Sequence, residues 1–172
     1  MEEKFRSLIR DIPDFPRKGI LFKDITPLLR DGASFKNAVD ETVKFFSKKK
    51  IDLIACVEAR GFILGSAIAY KLGVGLVPIR KKGKLPYRTR CVSYSLEYGE
   101  DALEVHEDAI RPGEKVLVVD DLLATGGTSS AVLELVESSG GEVVGIVFLI
   151  ELASLKGRER LKGHKVHSLI EF

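Results

Sequence analysis

The chain has 172 residues, of which 45% are hydrophobic and 30% are charged, enough for one domain (residues 1–172) with a substantial buried core. Its net charge of +2 is too balanced to imply a polyanionic partner, and no apolar stretch approaches a membrane span, so we expect neither nucleic-acid nor membrane binding. The two cysteines show no disulfide or metal spacing and the N-terminus is not a signal peptide, so we expect a cytoplasmic protein.

The first 50 residues predict two helices separated by an irregular segment. Apolar residues recur at helical spacing over residues 2–10 and again over residues 34–47. Between them, residues 12–29 contain three prolines, a density that forbids a continuous helix. This segment is too apolar to be a solvated linker, so its side chains either pack on the core or serve a ligand.

From residue 53 onward, apolar strand-like runs alternate with helical patterns, which predicts an α/β fold with a mainly parallel central sheet flanked by helices. Cys56 lies in the first run and is expected to be a buried core thiol. The predicted strands are residues 53–57, 76–80, 92–96, 102–106, 116–119, 142–150 and 166–170, and the predicted helices are residues 61–72 and a segment that ends at residue 138. The strands at 92–96 and 102–106 predict an antiparallel flap over about residues 81–107.

Residues 115–128 are the most informative segment of the chain. An apolar strand is expected to end on Asp120 and Asp121, and a small loop of Thr and Gly residues then leads into a helix. Amides and hydroxyls at a helix N-terminus bind phosphate, whereas carboxylates accept hydrogen bonds from sugar hydroxyls. The segment therefore suits a ribose 5-phosphate, although a helix cap followed by a simple turn would have the same pattern.

The segment VVDDLLATGGT resembles the phosphoribosyl-pyrophosphate (PRPP) binding motif of the type I phosphoribosyltransferases. The resemblance implies that Asp120 and Asp121 hold the ribose hydroxyls. It also implies that the following loop holds the 5-phosphate, and this loop comprises Ala124, Thr125, Gly126, Gly127 and Thr128.

Two further segments carry cations to the same expected edge of the sheet, where ligands of such folds bind. In EARGF, Arg60 could bind pyrophosphate, or it could pair with Glu58 or another neighbouring acid. Six cations within residues 80–90 suit a phosphate-rich ligand, a solvated face or RNA equally well. EARGF and RKKGKLP resemble segments of the adenine-specific members of the family, which implies pyrophosphate contacts for Ala59, Arg60, Arg80 and Lys84.

The proline-containing segment and the flap complete the resemblance. In the family, the former is a hood over the base (about residues 12–29 here), in which Leu21 and Lys23 contact adenine through their backbones and Phe22 stacks on it. YSLEYG resembles the flap of the adenine-specific members, which implies that Glu97 is a general acid or base beside the purine. Without that context Glu97 would be an ordinary solvated residue. Lys18 departs from the family, which often carries proline before the glycine.

Together the resemblance implies a type I phosphoribosyltransferase fold that converts adenine and PRPP to AMP and pyrophosphate. It implies a homodimer, and Mg²⁺ that arrives bound to PRPP, since the sequence offers no carboxylate cage for a metal. Two alternatives remain open at this stage. One is a phosphoribosyltransferase for another base, and the other is a non-catalytic regulator that senses PRPP.

Overall fold

The computed structural model describes residues 2–96 and 99–172. In chain order its helices are α1 (Glu2–Arg6), α2 (Thr26–Arg30), α3 (Gly32–Phe45), α4 (Arg60–Leu72) and α5 (Gly127–Ser138), with 3₁₀ turns at Ala153–Leu155 and Gly157–Leu161. Its strands are β1 (Arg10–Pro13), β2 (Leu21–Asp24), β3 (Leu53–Val57), β4 (Gly75–Lys81), β5 (Thr89–Leu96), β6 (Gly99–His106), β7 (Lys115–Leu123), β8 (Glu142–Glu151) and β9 (Val166–Glu171).

A seven-stranded sheet in the order β5-β6-β4-β3-β7-β8-β9 forms the centre of the fold. Its five strands from β4 to β9 are parallel, whereas β5 and β6 form an antiparallel hairpin attached to β4. The predicted α/β fold with a mainly parallel sheet and an antiparallel flap is therefore confirmed. None of the helices in the described ranges combines the length and hydropathy needed to cross a bilayer.

Apolar side chains cover both faces of the sheet, which explains the nearly continuous hydrophobic runs of the parallel strands. In β7, Leu117 and Val119 join the cluster under α3 and α4, while Val116 and Val118 join the cluster under α5. Cys56 is fully buried, as predicted, and burial raises the pKa of its thiol to about 12.

The N-terminal segment differs from its prediction. The first helix ends at Arg6 rather than at residue 10, and β1 pairs with β2 in an antiparallel ladder. The hood is therefore a two-stranded hairpin followed by α2, whose Pro27 lies in the first turn, where no amide donor is needed. Periodicity alone could not reveal the hairpin, because β1 is only four residues long and depends on its partner strand.

The strand that carries the acidic pair is longer than predicted. β7 continues to Leu123 because β8 runs beside it, pairing Asp120 with Phe148 and Leu123 with Glu151. The expectation that the strand ends at the two carboxylates is therefore wrong. Asp120 and Asp121 lie within the sheet, where they are 9% and 8% exposed.

Candidate functional site

Three loops meet at the C-terminal edge of the parallel strands. β4, β3 and β7 are neighbours in the sheet, so the loops that follow them lie side by side. These loops carry the basic run, the Arg60 turn and the Thr-Gly loop respectively. The topology thus brings together the three segments that the sequence assigned to phosphate groups, and it does so at the edge where such sheets bind ligands.

Arg60 joins the acidic pair to the hood. Its Nη2 lies 2.7 Å from Oδ2 of Asp121, and its Nη1 donates a hydrogen bond of 3.2 Å to the carbonyl oxygen of Lys23. Its Cζ lies 4.8 Å from the ring centroid of Phe22, within the range of a cation–π contact. The alternative that Arg60 pairs with an acid is realised, but that acid is Asp121 rather than Glu58.

Burial sets the electrostatics of the acidic pair. Desolvation, together with the neighbouring Asp121 carboxylate, raises the pKa of Asp120 well above its ordinary value. Desolvation also raises the pKa of Asp121, although the Arg60 guanidinium opposes that change. Oδ1 of Asp120 accepts the Asp121 amide at 2.8 Å. Two carboxylates held this close favour a ligand that brings hydroxyl donors or a counter-charge.

Asp120→Asn is expected to stabilise the protein, and the gain should increase with pH. The raised pKa of Asp120 means that its contribution to stability is full below about pH 4, the unfolded pKa, and is lost as pH rises through the folded pKa. An uncharged Asn does not titrate. The melting temperature of the variant should therefore exceed that of the wild type by about 3 °C near neutral pH and by less near pH 5.

Asp24→Asn is the matched control with the opposite sign. The Thr26 amide donates to Asp24 Oδ1 at 2.9 Å, and that hydrogen bond holds the Asp24 pKa below its usual value. The contribution of the Asp24 carboxylate to stability is therefore present above its unfolded pKa and is lost as pH falls. The variant should thus be less stable than wild type at neutral pH. Equal pH profiles for the two variants in thermal melts would contradict this account.

The Thr-Gly loop places the N-terminus of α5 at the site. Gly126 is the N-cap residue with φ +82°, and no side chain among the described residues caps the helix. The first amides of α5 therefore remain available to an anion, which the helix dipole also favours. The loop rests on Gly157, because a Cβ on Gly126 would lie 2.6 Å from the Gly157 carbonyl oxygen.

Glu58 orients the first cation of the basic run. Its Oε2 accepts from Arg80 Nη2 at 2.9 Å, and its Oε1 accepts from the Lys81 amide at 2.6 Å. Burial alone would raise the Glu58 pKa, but these two donors outweigh it and the pKa is lowered. Arg80 also donates to the Lys84 carbonyl oxygen at 3.1 Å. The peptide bond between Glu58 and the exposed Ala59 is cis.

The hood and the flap form the outer walls of the site. Phe15 packs edge-on against Phe22 with 5.1 Å between ring centroids, and Leu21 stays about half exposed. On the flap, Lys81 Nζ lies 2.9 Å from Oδ2 of Asp101. Glu97, the predicted acid or base, lies outside the described residues.

Comparison with known proteins identifies the family. The phosphoribosyl transferase domain model matches residues 28–170. The chain belongs to the phosphoribosyltransferase family. It is 58% identical over 164 residues to an adenine phosphoribosyltransferase of Clostridium perfringens, which covers 95% of each chain. The predicted resemblance to this family, and to its adenine-specific members, is confirmed.

Solved phosphoribosyltransferase structures have the same fold. An adenine phosphoribosyltransferase from Thermoanaerobacter pseudethanolicus superimposes with a TM-score of 0.97 at 53% identity, covering 100% of both chains. One from Saccharomyces cerevisiae, complexed with an imino-altritol bisphosphate and adenine, gives 0.92 at 39% identity, covering 98% of this chain and 97% of that one. The fold predicted from the sequence is therefore that of its relatives.

Two residues that shape the candidate site are not evident from the sequence. The sequence suggests Glu58 only as a partner for Arg60, whereas in the structure it holds Arg80. No sequence pattern points to Gly157, although a Cβ there would collide with the Ala124 carbonyl oxygen. A glycine between charged residues carries no local signal for a contact with a loop some thirty positions earlier, so only the fold reveals it.

Proposed function

We infer that the protein transfers the phosphoribosyl group of PRPP to adenine, giving AMP and pyrophosphate in purine salvage. The observation that carries this inference is the position of Arg60. One guanidinium contacts Asp121 of the PRPP motif, the backbone of Lys23 and the ring of Phe22. A sugar site and an aromatic base site that share one side chain suit a reaction that joins a base to a sugar.

In the proposed complex, Asp120 and Asp121 accept hydrogen bonds from the ribose hydroxyls, and the loop of residues 124–128 binds the 5-phosphate. The geometry supports the second role through the uncapped start of α5. Adenine would lie against Phe22, with its edge read by the backbones of Leu21 and Lys23. Backbone groups can both donate and accept, which suits a base with an exocyclic amine beside a ring nitrogen.

During the reaction the anomeric C–O bond to pyrophosphate breaks and a C–N bond to adenine forms. Negative charge gathers on the pyrophosphate, and we propose that Arg60, Arg80, Lys84 and the Ala59 amide stabilise it. The Glu58 contacts hold Arg80 on this edge. Glu97 is proposed to exchange a proton with the imidazole nitrogen of adenine as the bond to that base forms.

We propose that magnesium enters the site bound to PRPP. Among the described residues, no three His, Cys, Asp or Glu side chains are grouped so as to hold a metal ion. We propose that PRPP oxygens and water, rather than a protein cage, would hold the ion. When bound, Mg²⁺ would neutralise part of the pyrophosphate charge.

A cytoplasmic homodimer is the proposed working form. On α4, Ile63 and Tyr70 lie seven positions apart and therefore on one face, and Tyr70 is 91% exposed. Exposed apolar residues on one helix face are typical of a surface that a second subunit covers.

A panel of bases tests the proposed function. With PRPP and magnesium, adenine is expected to give AMP, while hypoxanthine and guanine should react at least about a hundredfold more slowly, because the hood would leave polar edges unpaired. Product formation is measured by chromatography. Similar rates for all three bases would favour a broader phosphoribosyltransferase. Binding of PRPP without turnover of any base would favour the regulator.

A further inference from the structure

Phe172 contacts the segment that is proposed to read adenine, through the side chain of Lys23. Its backbone is fixed at the edge of the sheet, because its amide donates to the Glu151 carbonyl oxygen at 2.8 Å and its own carbonyl accepts from the Ala153 amide at 2.9 Å. Its ring packs against the core cluster beneath α3 and α4. Phe172 is therefore a rigid point on the body of the protein.

The Phe172 ring holds the side chain of Lys23. Lys23 Nζ lies 3.8 Å from the ring centroid and 2.7 Å from Oδ1 of Asp11, and the residue is only 8% exposed. An ammonium that is so little hydrated depends on the groups around it, and an aromatic face supplies a contact that water would otherwise provide. Asp11 lies in β1 of the hood hairpin, whereas Phe172 directly follows β9 of the central sheet.

The backbone of Lys23 contacts Arg60 rather than Phe172. Its carbonyl oxygen accepts the 3.2 Å hydrogen bond from Arg60, which also contacts Asp121. Lys23 is thus held from one side by the side-chain contact with Phe172 and from the other by the backbone contact with Arg60. Movement of the side chain would move the segment that is proposed to read adenine.

We propose that Phe172 is a positioning residue for adenine: its ring fixes Lys23, and Lys23 fixes the base-reading backbone of the hood. This inference rests on the proposed function. Phe172 would touch neither substrate, and its effect would be selective, because its ring contacts Lys23 of the hood, whereas the loop of residues 124–128 packs on Gly157. The KM for adenine should depend on the aromatic ring, whereas the KM for PRPP should not.

The test compares Phe172→Leu with Phe172→Tyr. Leucine keeps apolar volume but removes the aromatic face, so the KM for adenine should rise about fivefold to tenfold. The KM for PRPP and kcat should change by less than about twofold. Tyrosine keeps the ring and should restore the wild-type KM for adenine. Because Phe172 is only partly buried, both variants should fold, and thermal melts check this.

Arg6→Met is the matched control. The Arg6 guanidinium also lies over the ring, with Cζ 4.5 Å from the centroid, but it belongs to α1 and hydrogen-bonds to Glu2 and to the Glu171 carbonyl oxygen. Its removal should leave the KM for adenine unchanged. In a double-mutant cycle, Phe172→Leu should have little further effect in a Lys23→Met background, because both changes remove the same contact.

Three outcomes would overturn the inference: an unchanged KM for adenine in Phe172→Leu, an equal rise in both KM values, or the same defect in Phe172→Tyr. These outcomes are distinct from failure of the proposed function. In that case the wild-type protein itself would not convert adenine, whereas failure of this inference leaves wild-type turnover intact.

Discussion

Replacing Arg60 with methionine is expected to lower kcat/KM for the adenine reaction by about a thousandfold. Three losses combine in this variant. The leaving pyrophosphate loses a cation that is proposed to stabilise it, the Lys23 carbonyl loses its donor, and Asp121 keeps a buried carboxylate without the guanidinium now 2.7 Å away. Steady-state kinetics with adenine and PRPP, run well below the melting temperature, measure the effect.

Two variants separate the role of Arg60 from net charge. Arg60→Lys keeps the positive charge but cannot contact Asp121 and the Lys23 carbonyl with two separate nitrogens, so its rate should lie between methionine and wild type. Arg10→Met removes an exposed hood cation whose Nη1 lies 3.5 Å from Asp24, and kcat/KM should then stay within about twofold. A decrease in kcat/KM of less than about tenfold in Arg60→Met would contradict the proposed role of Arg60 in the reaction.

Gly126→Ala is expected to destabilise the protein by about 3 to 5 kcal/mol and to raise the KM for PRPP at least about tenfold. The backbone of Gly126 has φ +82°, which side chains rarely adopt, and the new Cβ would lie 2.6 Å from the Gly157 carbonyl oxygen. Since the obstacle is a backbone atom, the loop must shift. The shift displaces the amides at the start of α5 that are proposed to bind the phosphate. Urea denaturation and PRPP kinetics measure the two effects.

Gly113→Ala is the control for the conformational part of that cost. Gly113 has a similar φ of +81°, but nothing lies within 4 Å of the Cβ that would be added. The Gly113→Ala variant should therefore lose only about 1 kcal/mol of unfolding free energy and keep the wild-type KM for PRPP. Equal destabilisation by the two substitutions would mean that the contact with Gly157 contributes nothing.

The parts of the candidate site that could be predicted from the sequence are those whose chemistry is local. The buried strand, the adjacent carboxylates and the Thr-Gly loop before a helix are contiguous, so their residue types alone indicated a sugar phosphate. It failed where a partner comes from far along the chain. β7 extends past Asp121 because β8 runs beside it, and β1 is a strand because β2 pairs with it.

The sequence by itself therefore determined the ligand classes, the family resemblance and the α/β class of the fold. Only the tertiary structure decided that Arg60 contacts Asp121 and Lys23, that Glu58 holds Arg80, and that Phe172 lies against Lys23. The reason is physical. Ion pairs, cation–π contacts and raised pKa values depend on distance and burial, and these are set by the order of strands in the sheet rather than by neighbours along the chain.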